Sequence, residues 1–194
     1  MLTRRVMALR WTAAIAAGAT VCTLCDQTHV RTGVLAYRVP SVAGQAWWVP
    51  LVFVIATVAA LAQWVVLAAL SPAIARDLRN GPRDRWGARE AAYAAVWLVV
   101  VYVSSGFLQG VPRGAFALYV ALFMLRAWAV DAPGVVAHAL LFAVGGTAFE
   151  AALSSTGAFW YTRPDLAGVP VWLPGLYLHG AFVSRAVMRR WLLR

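Results

Sequence analysis

Cys22, Cys25 and His29, with Asp26 among them, form a CxxCxxxH run that puts four potential metal ligands within two turns of a helix. Thiolates and imidazoles at such spacing can ligate zinc. The other histidines, His138 and His179, are scattered and supply no second ligand cluster. The expectation is therefore no metal, but two small, polarizable side chains at a helix end followed by a polar loop. A thioredoxin-like role would need a βαβ setting, which the flanking pattern does not provide. Glu150 is a carboxylate towards the outer end of an apolar stretch, residues 134–154, too far in depth from Arg126 to pair with it. An ionisable group inside a bilayer is costly and needs a partner, and Arg113 or Arg163 on outer loops are the expected ones. His138 precedes Glu150 by twelve residues, which on a helix sets the two about 120° apart, so they make no proton relay on one face. Arg10, Arg126 and Arg185 lie near span ends, where a long side chain can snorkel to the interface. The chain has no GxSxG, HExxH or P-loop and no paired carboxylates within a span, so no catalytic residue is expected and the protein reads as a non-enzyme.

The elements that hold these residues are membrane spans. Of 194 residues, 62% are hydrophobic and only 12% charged, against about 25% charged in an ordinary soluble domain. Apolar stretches cover residues 6–24, 46–70, 91–110, 114–131, 134–154 and 172–191, each reaching or approaching the length that crosses a hydrocarbon core. They predict one domain, residues 1–194, an all-α bundle of six transmembrane helices. Between the second and third spans, Arg76 to Glu90 carries dense charge and a Gly81-Pro82 pair, marking a solvated loop. Orientation follows from arginine, the only basic residue besides histidine: thirteen of the seventeen fall on one side of a six-span layout. The positive-inside rule makes that side cytoplasmic and puts both termini there. A cleaved signal at the first span is the alternative, with small residues near Ala17 and Ala19.

The net charge of +10 belongs to those loops, where it attracts anionic lipid head groups, and not to a nucleic-acid surface. Trp47, Trp48, Trp172 and Trp191 mark span ends, as interfacial rings do. No repeat between the halves suggests an inverted-repeat transporter. Gly106 and Gly110 form a GxxxG at a span end, and Gly145-Gly146, before Thr147, permits tight packing or leaves room beside a ligand. The absence of lysine, with abundant Ala and Val, hints at GC-rich bacterial coding.

Two segments carry a family resemblance. Gln45-Ala46-Trp47-Trp48-Val49-Pro50, opening span two, resembles the AWWVPP opening of the same helix in the Insig proteins, membrane regulators of sterol synthesis. Tyr161-Thr162-Arg163-Pro164-Asp165, followed by Trp172-Leu173-Pro174, resembles that family's YTSPD and WLP at the same spacing. Asp131 after Trp128, and Gly180 and Arg189 in the last helix, also fall at family positions. The resemblance implies six helices around a central lipid-accessible cavity and a non-catalytic regulator with no cofactor besides bound lipid. Animal members bind oxysterol and hold sterol-sensing partner proteins. The chain departs from the pattern in lacking a second proline after Pro50, in the stretch from Ser104 to Pro112, and in its short N-terminal tail.

The functional expectation is a lipid held in a largely apolar cavity, with a few polar groups orienting its head. The candidate residues are Trp47, Gln63, Ser104, Phe107, Trp128, Thr147 and Glu150. For a bacterial protein, in the cytoplasmic membrane, a neutral glycerolipid such as diacylglycerol fits better than a sterol; a eukaryotic one would sit in the endoplasmic reticulum. The alternative is an adaptor acting through helix contacts with a partner membrane protein, with Asp131 as the candidate contact. Homo-oligomerisation through apolar faces is the remaining partner expectation.

Overall fold

The computed structural model describes residues 4–80 and 85–192. Helices dominate because an apolar segment in lipid must satisfy its own backbone polar groups. In chain order they are α1 (Arg4–Arg31), α2 (Val49–Leu70), α3 (Pro72–Arg79), α4 (Arg85–Phe107), α5 (Pro112–Val130), α6 (Val135–Ser155), α7 (Leu173–Leu178) and α8 (Gly180–Val187), closed by a π-helical turn, Met188–Leu192. Proline opens α2, α3, α5 and α7, where its missing N–H costs no intrahelical bond. Among the described residues, five helices are long and apolar enough to cross a membrane: α1, α2, α4, α5 and α6. The sixth expected span, 172–191, comprises α7, α8 and the π turn. Its joints at His179 (φ −72°, ψ −17°) and Met188 (φ −58°, ψ −48°) keep helical backbone angles, so the chain changes its hydrogen-bond pattern there without turning back.

The expected loop from Arg76 to Glu90 is shorter than its charge suggested, and residues 81–84 lie outside the described residues. Helix α3 takes its start because Ser71 caps it, its side chain accepting from the Ile74 N–H, while Ile74, Ala75 and Leu78 form a buried face. Arg76 and Arg79 are exposed on the other side, and the amphipathic helix lies against the bundle.

An all-helical reading also missed β1 (Leu35–Tyr37) and β2 (Phe159–Tyr161), which pair antiparallel with Ala36 opposite Trp160. Three residues leave too little alternation to signal a strand. The ladder exposes a repeat that was not recognised. The unit α1–β1–turn–α2 returns 124 positions later as α6–β2–turn–α7–α8, with Tyr37, Pro40, Ala43, Gly44, Trp48 and Pro50 matched by Tyr161, Pro164, Ala167, Gly168, Trp172 and Pro174. Both turns put two consecutive residues at positive φ, Ala43 (50°) and Gly44 (88°), Ala167 (48°) and Gly168 (86°), as a type I′ turn requires. Each is closed by a bridge, Val42 with Gln45 and Leu166 with Val169. Both first helices end at the ladder, so the two units run in the same direction. The ladder's local two-fold passes between Ala36 and Trp160, which are themselves equivalent positions. The halves hid this because the repeats are separated by α3, α4 and α5, which have no counterpart in the second unit.

Two cores hold the bundle. One gathers Tyr37, Tyr119, Phe159, Tyr161 and Trp172 at the ladder end. The other packs Trp64, Leu78, Phe123, Phe182 and Met188 at the opposite end, where Trp64 stacks on His138 at 4.5 Å and donates to Ser184 Oγ at 2.8 Å.

Candidate functional site

The internal two-fold places one carboxyl in each unit beside the ladder. Asp26, on α1, accepts from the Tyr37 phenol at 2.6 Å and the Gln45 amide at 2.8 Å. Glu150, its equivalent on α6, accepts from the phenols of Tyr161 and Tyr177. Each carboxyl and its ladder tyrosine are eleven residues apart. Glu150 therefore takes tyrosine hydroxyls as its partners where Arg113 or Arg163 was expected. A hydroxyl on the adjacent ladder reaches it, and outer-loop arginines are not needed. Burial, reinforced by the neighbouring carboxyl, pushes the Tyr37 and Tyr161 phenols above their ordinary range, so both remain O–H donors.

Two cavities open from this region. The larger, about 470 Å³, lies among α1, α2, α4, α7 and α8, with walls that include Gly18, Thr57, Ala95 and Ser184. Its hydroxyls are already used within the bundle. Thr57 Oγ1 donates to the Phe53 carbonyl, and Ser184 Oγ donates to the Gly180 carbonyl while accepting from Trp64. Among the described residues, no arginine or histidine lines it. The smaller, about 300 Å³, lies between α2 and α6 and is lined by Asp26, Tyr37, Gln63, Gly145 and Glu150 among others. Phe53, Ala56, Phe142 and Tyr177 line both and form the partition. Phe53 and Tyr177 are equivalent positions of the two units.

Of the residues singled out from the sequence, Gln63 and Glu150 line the smaller cavity. Ser104 is hydrogen-bonded to the Tyr119 hydroxyl at 3.0 Å, holding α4 to α5. Thr147 buries a hydroxyl oxygen that has no partner within the described residues. Trp47, Phe107 and Trp128 are exposed on the outer surface and line neither cavity. Asp131 is an exposed left-handed cap at the end of α5, φ 41°. The cysteine–histidine run disperses: Cys22 faces the larger cavity, Cys25 is in the core, and His29 Nε2 bonds Ser105 Oγ at 2.7 Å while its ring stacks on Tyr102. Among the described residues, no group of three such ligands is placed to hold an ion.

Arg126 and Arg185 do not snorkel freely. Arg126 is 8% exposed; its guanidinium lies 4.1 Å from the Phe182 ring centroid and bonds His179 Nδ1 at 2.9 Å. His179 Nε2–H must donate to the Tyr119 carbonyl at 3.0 Å, so Nδ1 is the acceptor and the imidazole is neutral. Arg185 grips Asp77 at 2.6 and 2.8 Å and Glu90 at 3.1 Å, and Arg189 reaches the same Glu90, tying α3 and α4 to the last helical run. Composition showed these charges but not the partners, which lie about a hundred residues away in sequence.

What sequence reasoning missed at the cavities are Asp26, Tyr37, Phe53, Phe142 and Tyr177. The signal was present in the matched carboxyl-to-tyrosine spacing of Asp26–Tyr37 and Glu150–Tyr161.

No family model matches the chain, and no curated protein sequence matches it. Among solved structures the chain is similar to an Insig homologue, MvINS, from Mycobacterium vanbaalenii, with a TM-score of 0.79 and 26% identity over 95% of each chain. It is also similar to a cross-linked trimer of a cysteine variant of that protein, with a TM-score of 0.77 and 25% identity over 93% of this chain and 92% of that one.

Proposed function

We propose that this chain, an Insig-like membrane protein of the prokaryotic type, is a non-catalytic lipid-binding protein that holds the tails of a neutral glycerolipid, such as diacylglycerol, in its larger cavity. The observation that carries this reading is the chemistry of that cavity. It has about 470 Å³, within the range of ligand pockets, and its hydroxyls are already bonded internally. With no cationic lining residue among those described, a phosphate would enter without a counter-charge, at a high desolvation cost. Neutral apolar chains enter without that cost.

In this reading the run from Leu173 to Leu192 is the sixth span. At 1.5 Å per residue it is about 30 Å long, enough to cross. Arg76, Arg79, Arg185, Arg189 and Arg190 then gather at the end away from the ladder, which is the cytoplasmic face of a bacterial membrane and carries both termini. Lipid occupancy makes the protein a sensor or regulator. The likeness to a protein cross-linked as a trimer supports self-association as part of the same proposal.

The test is lipid mass spectrometry on gently solubilised protein, compared with bulk membrane extract and with Ala95→Phe, which fills the cavity from α4. A neutral glycerolipid enriched in wild type and lost in the variant supports the reading. Equal lipid profiles in protein and bulk extract would sink it and move the weight to an adaptor role.

A further inference from the structure

Arg126 is a buried cation whose counter-charge the bundle does not supply. Arg185 and Arg189, on the last helical run, share Asp77 and Glu90. Among the described residues no carboxylate pairs with Arg126 in the same way. It bonds His179 Nδ1 at 2.9 Å, and that imidazole is neutral because its Nε2–H donates to the Tyr119 carbonyl. Rings complete the surroundings, with the guanidinium carbon 4.1 Å from the centroid of Phe182, 5.5 Å from Trp97 and 6.0 Å from Tyr93. Ring faces attract a cation but leave its charge in place. Asp131, the exposed cap of α5, makes no ion pair with it.

This cation faces outwards. Helix α4 packs on α1 and α8, and α5 on α7, so the seam between α4 and α5 lies on the outside of the bundle. Arg126, Tyr93 and Trp97 line neither cavity. Tyr93 is 61% exposed, and the guanidinium nitrogens not bonded to His179 are not among the enclosed, unpartnered atoms, so they reach the surface. Arg126 stands four residues before Val130, the last residue of α5, which puts it about 6 Å inside the helix end and next to the head-group layer. Arg89, exposed one turn before Tyr93 on the same face of α4, adds positive charge at that level. Towards the ladder the seam turns apolar, with Val96, Val100 and Leu118 exposed, and it ends where Ser104 bonds the Tyr119 hydroxyl.

An unpaired cation at this depth is costly, and an anion that reaches it removes the cost. We infer that the α4–α5 seam is a binding site for an anionic phospholipid, whose phosphate pairs with Arg126 beside Tyr93 and Trp97. The acyl chains lie along Val96, Val100 and Leu118. A phosphate accepts two parallel N–H bonds from a guanidinium, so the planar fork of Arg126 suits it. A zwitterionic head is disfavoured, because its ammonium finds Asp77 and Glu90 already taken and Arg89 repels it. The site lies outside both cavities and does not depend on what fills them.

Native mass spectrometry of the intact protein, titrated with dioleoylphosphatidylglycerol, dioleoylphosphatidylcholine or inorganic phosphate, tests it. On wild type the first phosphatidylglycerol should bind about tenfold more tightly than the first phosphatidylcholine, the value of a hydrogen bond between charged groups. Inorganic phosphate, which brings no chains, should not be retained. Arg126→Gln should lose the preference. Tyr93→Glu, a change at an exposed position, tests the site should Arg126→Gln fail to fold. It sets the missing counter-charge beside Arg126 and should abolish the preference as well. Dioleoylglycerol uptake should be the same in wild type and both variants, which separates this site from the larger cavity. A preference for phosphatidylglycerol that survives in either folded variant would assign it to the arginine-rich end at large and overturn the inference. Equal binding of the two phospholipids would overturn it, as would inorganic phosphate held as tightly as phosphatidylglycerol, which would make the seam a plain anion site. No phospholipid on wild type would overturn it too, leaving Arg126 to a carboxylate from a partner helix.

Discussion

Replacing Tyr161 by phenylalanine removes one of the two hydroxyls that Glu150 accepts and changes nothing else in shape. Losing the donor to a buried acceptor costs about 1–3 kcal/mol. We take about 2 kcal/mol for Tyr161→Phe, because Tyr177 still holds the other oxygen and part of the loss is recovered. For a chain of this size, about 2–4 °C of melting temperature accompanies each kcal/mol, so the variant melts about 4–8 °C lower. The internal two-fold extends the prediction: Tyr37→Phe leaves Asp26 with the Gln45 amide and Tyr102 and lowers the melting temperature by a similar amount. Differential scanning fluorimetry in mild detergent reads both. Tyr37→Phe with Tyr161→Phe should be additive, since the two phenols serve different carboxyls, whereas Tyr161→Phe with Tyr177→Phe should not, since they share one. Single variants that melt within about 1 °C of wild type would refute the assignment of stability to the carboxyl–tyrosine pairs.

Other perturbations follow from the same structure. Arg185→Met leaves Asp77 and Glu90 only Arg189; because that partner remains, the cost falls below the about 3–5 kcal/mol of breaking a buried ion pair outright, and a loss below about 1 kcal/mol in a reversible denaturant titration would contradict the packing of α3 on the last run. Gly134→Ala places a methyl 2.5 Å from Ile74 Cδ1 at a backbone φ of +81°, so it should lower thermal stability, while Gly145→Ala, which meets nothing within 4 Å, should not. For pH, the folded chain holds the Tyr37 phenol above its ordinary 10.0, so past that pH the unfolded chain releases a proton that the folded chain keeps, and stability falls as pH rises. Melting curves of Tyr37→Phe should lose less between about pH 10 and 11 than those of wild type, and parallel curves would refute it.

Five of the spans were legible because each is a long apolar run bounded by charge or proline, and the loop segments around Trp48 and Trp172 because their residues are distinctive. The internal two-fold was not, for a physical reason. Its equivalent positions keep a role and change the residue: Asp26 and Glu150 are both acceptors, and Phe53 and Tyr177 both partition the cavities. Two of the candidate residues, Gln63 and Glu150, line a cavity because polar groups inside an apolar run must face something. Trp47, Phe107 and Trp128 were chosen for their size, and large rings are equally at home against lipid at a helix end. The ion pairs of Arg185 were hidden by distance along the chain, and the burial of Arg126 by the fact that its partners are rings and a neutral imidazole, which leave no charge pattern to find.

The most direct test of the account is to locate a lipid in the larger cavity, by diffraction from crystals grown with diacylglycerol brominated along its acyl chains. The account predicts bromine density enclosed by Gly18, Thr57, Ala95 and Ser184. Bromine found only along the outer surface of the bundle, with that cavity empty, would contradict it.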